Sequence, residues 1–123
     1  MRDFRSIKAW EKSHQLTLEI YRATRTFPSD ELYHLTSQIR RASASIPTNI
    51  AEGAGLNSQA EFTRHLQIAM GSASELEYLL MLWRDLGYLD QNSYASLSEK
   101  ALEVKKMLAS FLSTIRQRKP PKS

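Results

Sequence analysis

Residues 94–115 read YASLSEKALEVKKMLASFLSTI. In this stretch Tyr94, Leu97, Ala101, Val104, Leu108, Phe111 and Ile115 recur at alternating intervals of three and four. At about 100° per residue, that spacing lines all seven along one stripe of an α-helix. A strand would need an alternation of two. Such a seam packs against neighbouring helices at a shallow crossing angle. The stretch therefore predicts a long helix, about Gln91 to Arg116, that needs other helices beside it. Asp90 is its N-cap, with Leu89 and Tyr94 placed as a hydrophobic staple.

Three other segments share the period, and turn signals separate them. From Gln59 to Leu86, Phe62, Leu66, Ala69, Ala73, Leu76, Leu80 and Trp83 form a core stripe that Ile68, Leu79, Leu82 and Leu86 widen. So broad a stripe predicts the most buried helix. Ser58 and Glu61 make a Ser-x-x-Glu capping box at its start, and Gly87 caps its end. From Asp30 to Ala54, Leu32, Leu35, Thr36, Ile39, Ser43, Ile46 and Ile50 face inward, and Gly53 and Gly55 supply the stop. Pro47 lies inside this segment. It lacks an N–H, so the Ser43 carbonyl loses its usual partner and the helix should kink. The apolar face keeps its phase across Pro47, which argues against a full break.

The first segment, about Ser6 to Thr26, has two stripes. Ile7, Trp10, His14, Leu18 and Tyr21 fall on one side, and Ala9, Leu16, Ile20, Ala23 and Phe27 fall roughly 140° away. One partner surface needs one stripe. Two stripes predict two partners, the domain core and something else, and leave open which stripe faces which. Connections of a few residues between long helices imply antiparallel neighbours. The expected fold is all-α, an up-down-up-down four-helix bundle over residues 1–117. A disordered basic tail, residues 118–123, follows, since Lys119-Pro120-Pro121-Lys122 cannot continue a helix.

A chain of 123 residues is one domain and can bury a core without staples. It has no cysteine, which excludes disulfides, zinc–thiolate sites, iron–sulfur clusters and thiol nucleophiles. The polar start Met1-Arg2-Asp3-Phe4-Arg5 is unlike a signal peptide, and no stretch approaches the ~18 uncharged apolar residues of a membrane span. The expected compartment is the cytoplasm, without a membrane partner.

The net charge of +4 is concentrated at one end, because Arg116, Arg118, Lys119 and Lys122 account for the whole excess. A second basic group, Arg2, Arg5, Lys8 and Lys12, opens the chain, and Arg22, Arg25, Arg40 and Arg41 lie farther in. Basic clusters of this kind attract a polyanion; they also serve as solubilising surface.

Catalytic constellations are missing. Glu31-Leu32-Tyr33-His34 has the Glu-x-x-His spacing of di-iron bundles, but no second copy exists, since Glu61 and His65 are four apart. Glu31 also suits the first turn of a helix as an acid. His14, His34 and His65 lie on three different helices, with no nucleophile elbow near them. His14, on an apolar stripe, reads as a packed, hydrogen-bonded side chain. Gly53-Ala54-Gly55 has no strand before it, so it is no dinucleotide fingerprint. Glu75 and Glu77 read as solvated or salt-bridged. No metal, cofactor or catalytic residue is expected.

The segment Gln38 to Gly55 carries the most information. Opposite its core face lie Gln38, Arg41, Ser45, Thr48 and Glu52, with Asn49 at the margin. The small run Ala42-Ser43-Ala44-Ser45 would admit another backbone at close range. This face is either solvated, or a subunit contact or ligand-facing groove with Arg41 and Glu52 paired across a partner.

These residues also carry a resemblance. Trp10, Tyr21, Phe27-Pro28, Leu35-Thr36-Ser37-Gln38-Ile39-Arg40-Arg41-Ala42, Ser45-Ile46-Pro47-Thr48-Asn49-Ile50-Ala51-Glu52-Gly53, Phe62, Leu66 and Gly71-Ser72-Ala73 occur here in order. The pattern resembles a bacterial family of four-helix bundles first noticed as reading frames inside intervening sequences of large-subunit ribosomal RNA genes. It covers roughly residues 3–90; the last helix matches only in pattern. The resemblance implies a ring-like homopentamer. A more distant relative, the accessory variability protein of diversity-generating retroelements, has this assembly and binds nucleic acid and a reverse transcriptase. Arg41, Asn49 and Glu52 stand in the signature, with no catalytic role implied.

Together these readings predict a non-enzymatic homo-oligomer that binds RNA or DNA weakly through phosphates. Its contacts would come from Arg2, Arg5, Lys8, Lys12, Arg22, Arg25, Arg40, Arg41 and the tail residues Arg116, Arg118, Lys119 and Lys122. Trp10 and Tyr21 would anchor the subunit interface, as aromatics carry disproportionate interface energy, with Gln38, Arg41, Ser45, Asn49 and Glu52 beside them. The alternative is a scaffold that binds another protein and no nucleic acid.

Overall fold

A computed structural model describes residues 2–117; Arg118, Lys119, Lys122 and the expected tail lie outside the described residues. The described chain is all-α. Its four long helices are α1 (Lys8–Ala23), α2 (Ser37–Ala54), α3 (Gln59–Asp85) and α4 (Gln91–Gln117). Short 3-10 turns at Phe4–Ser6, Thr24–Thr26 and Ser29–Glu31 and a π-helical turn at Leu32–Thr36 complete the order.

The ends are fixed largely by the residues the sequence offers. Asp90 Oδ1 accepts from the Ser93 amide at 2.7 Å. Ser58 Oγ accepts from the Glu61 amide at 3.2 Å, but the Glu61 carboxylate turns to Arg64, 3.2 Å away, so only half of the capping box forms. Gly87 adopts φ +84, with its amide bonded to the Arg84 carbonyl and the Tyr88 amide to the Trp83 carbonyl. That pair of bonds is a Schellman cap, in which glycine avoids the Cβ clash of the left-handed conformation.

The second segment departs from expectation at both ends. It was expected to be α-helical from Asp30, yet its first turns are 3-10 and π. A π turn carries an extra residue, which rotates everything before it by about 100° relative to the α phase. Leu32, expected inward, is thereby turned out and is 44% exposed, while Ile39, Ser43, Ile46 and Ile50 keep the buried face. At the other end, Gly53 is no stop signal. It is buried inside α2 where α3 crosses, and a Cβ there would lie 2.8 Å from His65 Cβ and 3.0 Å from Phe62 Cδ1. Gly55 ends the helix with φ −78, an ordinary right-handed value.

Helix one resolves its two stripes. Ala9, Leu16 and Ile20 are buried and form the core face, whereas Leu18 and Tyr21 are each 42% exposed. Ile7 is the exception on the outer stripe: it sits just before α1 in extended conformation and turns inward. On α3 the expected core stripe from Phe62 to Trp83 is buried throughout. The expected widening is only partial, for Ile68 and Leu86 remain exposed.

The four helices enclose one core, in which Trp83, Leu16, Ile46, Leu66, Leu80 and Leu108 are among the largest fully buried side chains. Neighbouring helices touch with opposed numbering. Thr17 meets Ser43 and Thr24 meets Arg40 across α1–α2, and Ser45 meets Ser72 and Asn49 meets His65 across α2–α3. Gln59 reaches the Ile115 carbonyl, and Glu77 pairs with Lys105, across α3–α4. Lys12–Glu103 and Glu19–Lys100 tie α1 to α4. This order of contacts is that of antiparallel neighbours.

Candidate functional site

α2 carries a row of polar side chains engaged by both of its neighbours, and Pro47 organises its α1 side. The helix runs continuously through Pro47, which is buried. The Ser43 carbonyl, four residues earlier, receives the hydroxyl of Thr17 from α1 at 3.0 Å. The same hydroxyl lies 2.9 Å from the Ser13 carbonyl, so one proton serves two acceptors. The lost helical bond is replaced across the seam.

Beside this joint lies a shallow groove of about 390 Å³, lined by Trp10, His14, Thr17, Ala44, Pro47 and Glu52 among others. Trp10 stacks nearly parallel on His14, with ring centroids 5.1 Å apart, and meets Phe4 edge-on at 4.9 Å. His14 was expected to be packed and hydrogen-bonded; it is exposed, and its contact is the stack.

The α3 side of α2 holds a chain of hydrogen bonds. Ser72 Oγ and Ser45 Oγ lie 2.8 Å apart. Asn49 Nδ2 donates to the Ser45 carbonyl at 2.8 Å, and its Oδ1 is 3.1 Å from His65 Nδ1. Glu52 reaches the same nitrogen at 3.8 Å. The small side chains of Ala42-Ser43-Ala44-Ser45 thus admit the chain's own α1 and α3. The residues expected at a subunit interface divide accordingly. Trp10 and Glu52 share the groove, Tyr21 and Arg41 are exposed, and Gln38 is half-buried. Ser45 and Asn49 are engaged by α3. Sequence spacing marked Asn49 only as marginal, and nothing in the sequence coupled it to His65, sixteen residues away on another helix.

The basic residues also divide. Arg5 pairs with Asp3 at 3.5 Å, Lys8 with Glu11 at 4.0 Å and Lys12 with Glu103 at 3.8 Å. Arg2 lies over the Phe62 ring at 4.8 Å. Arg40 donates to Thr24 Oγ1 at 2.8 Å and covers the Tyr21 ring at 4.8 Å. Arg22, Arg25, Arg41 and Arg116 are exposed and form no ion pair among the described residues. Three of these arginines (Arg22, Arg25 and Arg41), with Arg40 and the half-open Tyr21, belong to the end of α1 and the start of α2. The other end of α1 is neutralised.

Among the described residues two groups are displaced from their ordinary pKa, both around the α3–α4 turn. The Tyr88 hydroxyl donates to Glu31 Oε2 at 3.0 Å, and that bond to a carboxylate, before burial or charge, raises the phenol. Asp90 is held below the usual aspartate value by the Ser93 amide first, then the Ser93 hydroxyl. Both are structural ties. Among the described residues no three histidines or carboxylates are placed to share a metal ion. Nor is any described helix long and apolar enough to cross a membrane.

Comparison with known proteins adds three findings. The profile of the 23S rRNA-intervening sequence protein family matches residues 5–110. No curated protein matches the chain. A solved structure with the same fold is a protein of unknown function from the S23 ribosomal protein family of Bacteroides thetaiotaomicron VPI-5482. It is 28% identical, with a TM-score of 0.80 over 85% of this chain and 95% of that one. The matched residues contain the Pro47 joint, the Asn49–His65 bond and the arginines at the α1–α2 turn. This all-helical chain is a member of the 23S rRNA-intervening sequence protein family.

Proposed function

We propose that the chain is a non-enzymatic, homo-oligomeric bundle that binds nucleic acid through its phosphates. The observation that carries this reading is a set of arginines without ion-pair partners near the end of α1 and the start of α2. Arg22, Arg25 and Arg41 have no carboxylate partner among the described residues, and Arg40 is parked over an exposed tyrosine. Guanidinium groups beside an open aromatic ring suit a single-stranded polyanion, whose phosphates pair and whose bases stack. Arg5, Lys8 and Lys12 contribute less, because each already faces an acid. Repetition of the cluster in an oligomer would raise avidity wherever one strand spans several copies. The pentameric number comes from family resemblance.

Fluorescence anisotropy with a labelled single-stranded RNA and a DNA duplex, at about 50 and 200 mM salt, tests the reading. The expected result is binding at low salt that weakens steeply at high salt, with little sequence preference. No binding at low salt, or binding that salt leaves unchanged, overturns it. A second reading, a scaffold for another protein, is favoured by the Trp10 groove on the α1–α2 side. It predicts that the arginines can be replaced without loss of partner.

A further inference from the structure

Two surfaces among the described residues complement one another. One is a cleft of about 720 Å³ between the start of α1 and the second half of α4. Its apolar floor includes Ile7, Met107 and Phe111, and Arg2, Lys8 and Lys106 surround it. Its one acid, Glu103, is already paired with Lys12. Lys106 is exposed and forms no ion pair among the described residues. Lys8 already faces Glu11, so it is Arg2 and Lys106 that leave the rim of this apolar cleft positive.

The other surface is the outward face of α3. From His65 to Trp83 this helix has no lysine or arginine. Ile68, Tyr78 and Met81 are 40%, 55% and 39% exposed. At about 100° per residue Tyr78, Gly71 and Glu75 fall within about 60° of one another at the middle of this face, and Ile68 and Met81 flank it on either side, about 140° apart. A Cβ at Gly71 would meet nothing within 4 Å. Glu77, the other acid, is spent on Lys105, whereas Glu75 is exposed and forms no ion pair among the described residues. This face offers grease with negative charge. Ile68 to Met81 spans about 20 Å and Glu103 to Thr114 about 16 Å at 1.5 Å per residue, so stripe and cleft are of similar length.

We infer that the α3 face of one copy docks in the α1–α4 cleft of a second copy, with Tyr78 seated among Ile7, Met107 and Phe111 and Glu75 facing Lys106. The inference rests on the homo-oligomeric reading above and names its two faces. Because the faces differ, the contact is head-to-tail, and each copy presents both, so repetition gives a ring or a filament rather than a closed pair. Tyrosine suits the central position, being an aromatic anchor with a polar tip.

The test is size exclusion with light scattering on the full chain and on Glu75→Lys, Lys106→Glu, Tyr78→Asp and the Glu75→Lys/Lys106→Glu double variant, with helicity checked by circular dichroism. The substitutions are at exposed positions, so the folds should be retained. The expected result is an oligomeric parent whose association weakens about tenfold or more in each single variant: the two charge variants bring like charges together, and Tyr78→Asp replaces the aromatic anchor with a carboxylate among apolar side chains. The double variant should recover the parental mass. A monomeric parent overturns the oligomeric reading itself. An oligomeric parent that tolerates all three single changes, or a double variant that recovers nothing, overturns this pairing and leaves the oligomeric reading standing.

Discussion

The Thr17 hydroxyl lies 3.0 Å from the Ser43 carbonyl, the acceptor that Pro47 leaves without a helical donor. Ser43 is fully buried and Thr17 nearly so. A buried carbonyl without a donor costs more than an ordinary hydrogen bond contributes, so a hydroxyl from the neighbouring helix is the economical repair. The proline is thus tolerated inside α2 because α1 supplies what the backbone cannot.

Thr17→Val removes that donor at nearly constant volume and should destabilise the fold by about 1–3 kcal/mol. Combining it with Pro47→Ala returns a backbone N–H to the Ser43 carbonyl. The valine should then cost less, and the coupling between the two sites should reach about 1 kcal/mol or more. Urea unfolding of the four members of the cycle measures this. Additive costs would show that Thr17 contributes only its packing.

Gly53→Ala should destabilise by about 1–3 kcal/mol, as overpacking of a tight helix contact does. The new methyl would sit 2.8 Å from His65 Cβ, an atom fixed to the α3 backbone and unable to swing aside. Gly71→Ala is the control on the facing helix: its space is open, and alanine gains about 1 kcal/mol of helix propensity over glycine. Thermal melts should therefore move in opposite directions for the two variants.

The arginines separate by partner. Arg25→Glu with Arg41→Glu should weaken RNA binding and lower the salt slope by about 2, one for each lost phosphate contact. Arg5→Glu with Lys8→Glu makes the same formal charge change at the neutralised end of α1 and should do less. Equal losses in the two variants would mean that net charge, rather than the α1–α2 turn, governs affinity.

Asp90 should leave a signature in acid. Its folded-state pKa lies below the ordinary value, so its contribution is complete above the unfolded value of about 3.9 and is lost as pH falls through the folded one. Asp90→Asn keeps a capping oxygen but cannot titrate. Melting temperatures recorded from about pH 6 to about pH 3 should fall less steeply for this variant than for the parent, once other carboxylates are counted alike in both.

Much of this was legible in the chain itself. The 3-4 recurrence from Tyr94 to Ile115 required a long helix with neighbours, and Asp90, Ser58 and Gly87 marked ends that the structure keeps. These features depend on residues at most a few positions apart, where backbone geometry alone decides which side chains meet. The two stripes of α1 were visible as stripes, but only packing assigned Ala9, Leu16 and Ile20 to the core and left Tyr21 outside. The π turn that expelled Leu32 has no sequence signal, because one added residue per turn is chosen by what the helix must reach. Thr17 with Ser43, Asn49 with His65 and Gly53 against α3 are likewise products of the tertiary structure. Periodicity fixes which face a residue takes on its own helix; the partner across the seam is set by how the helices slide and rotate to bury the most apolar surface.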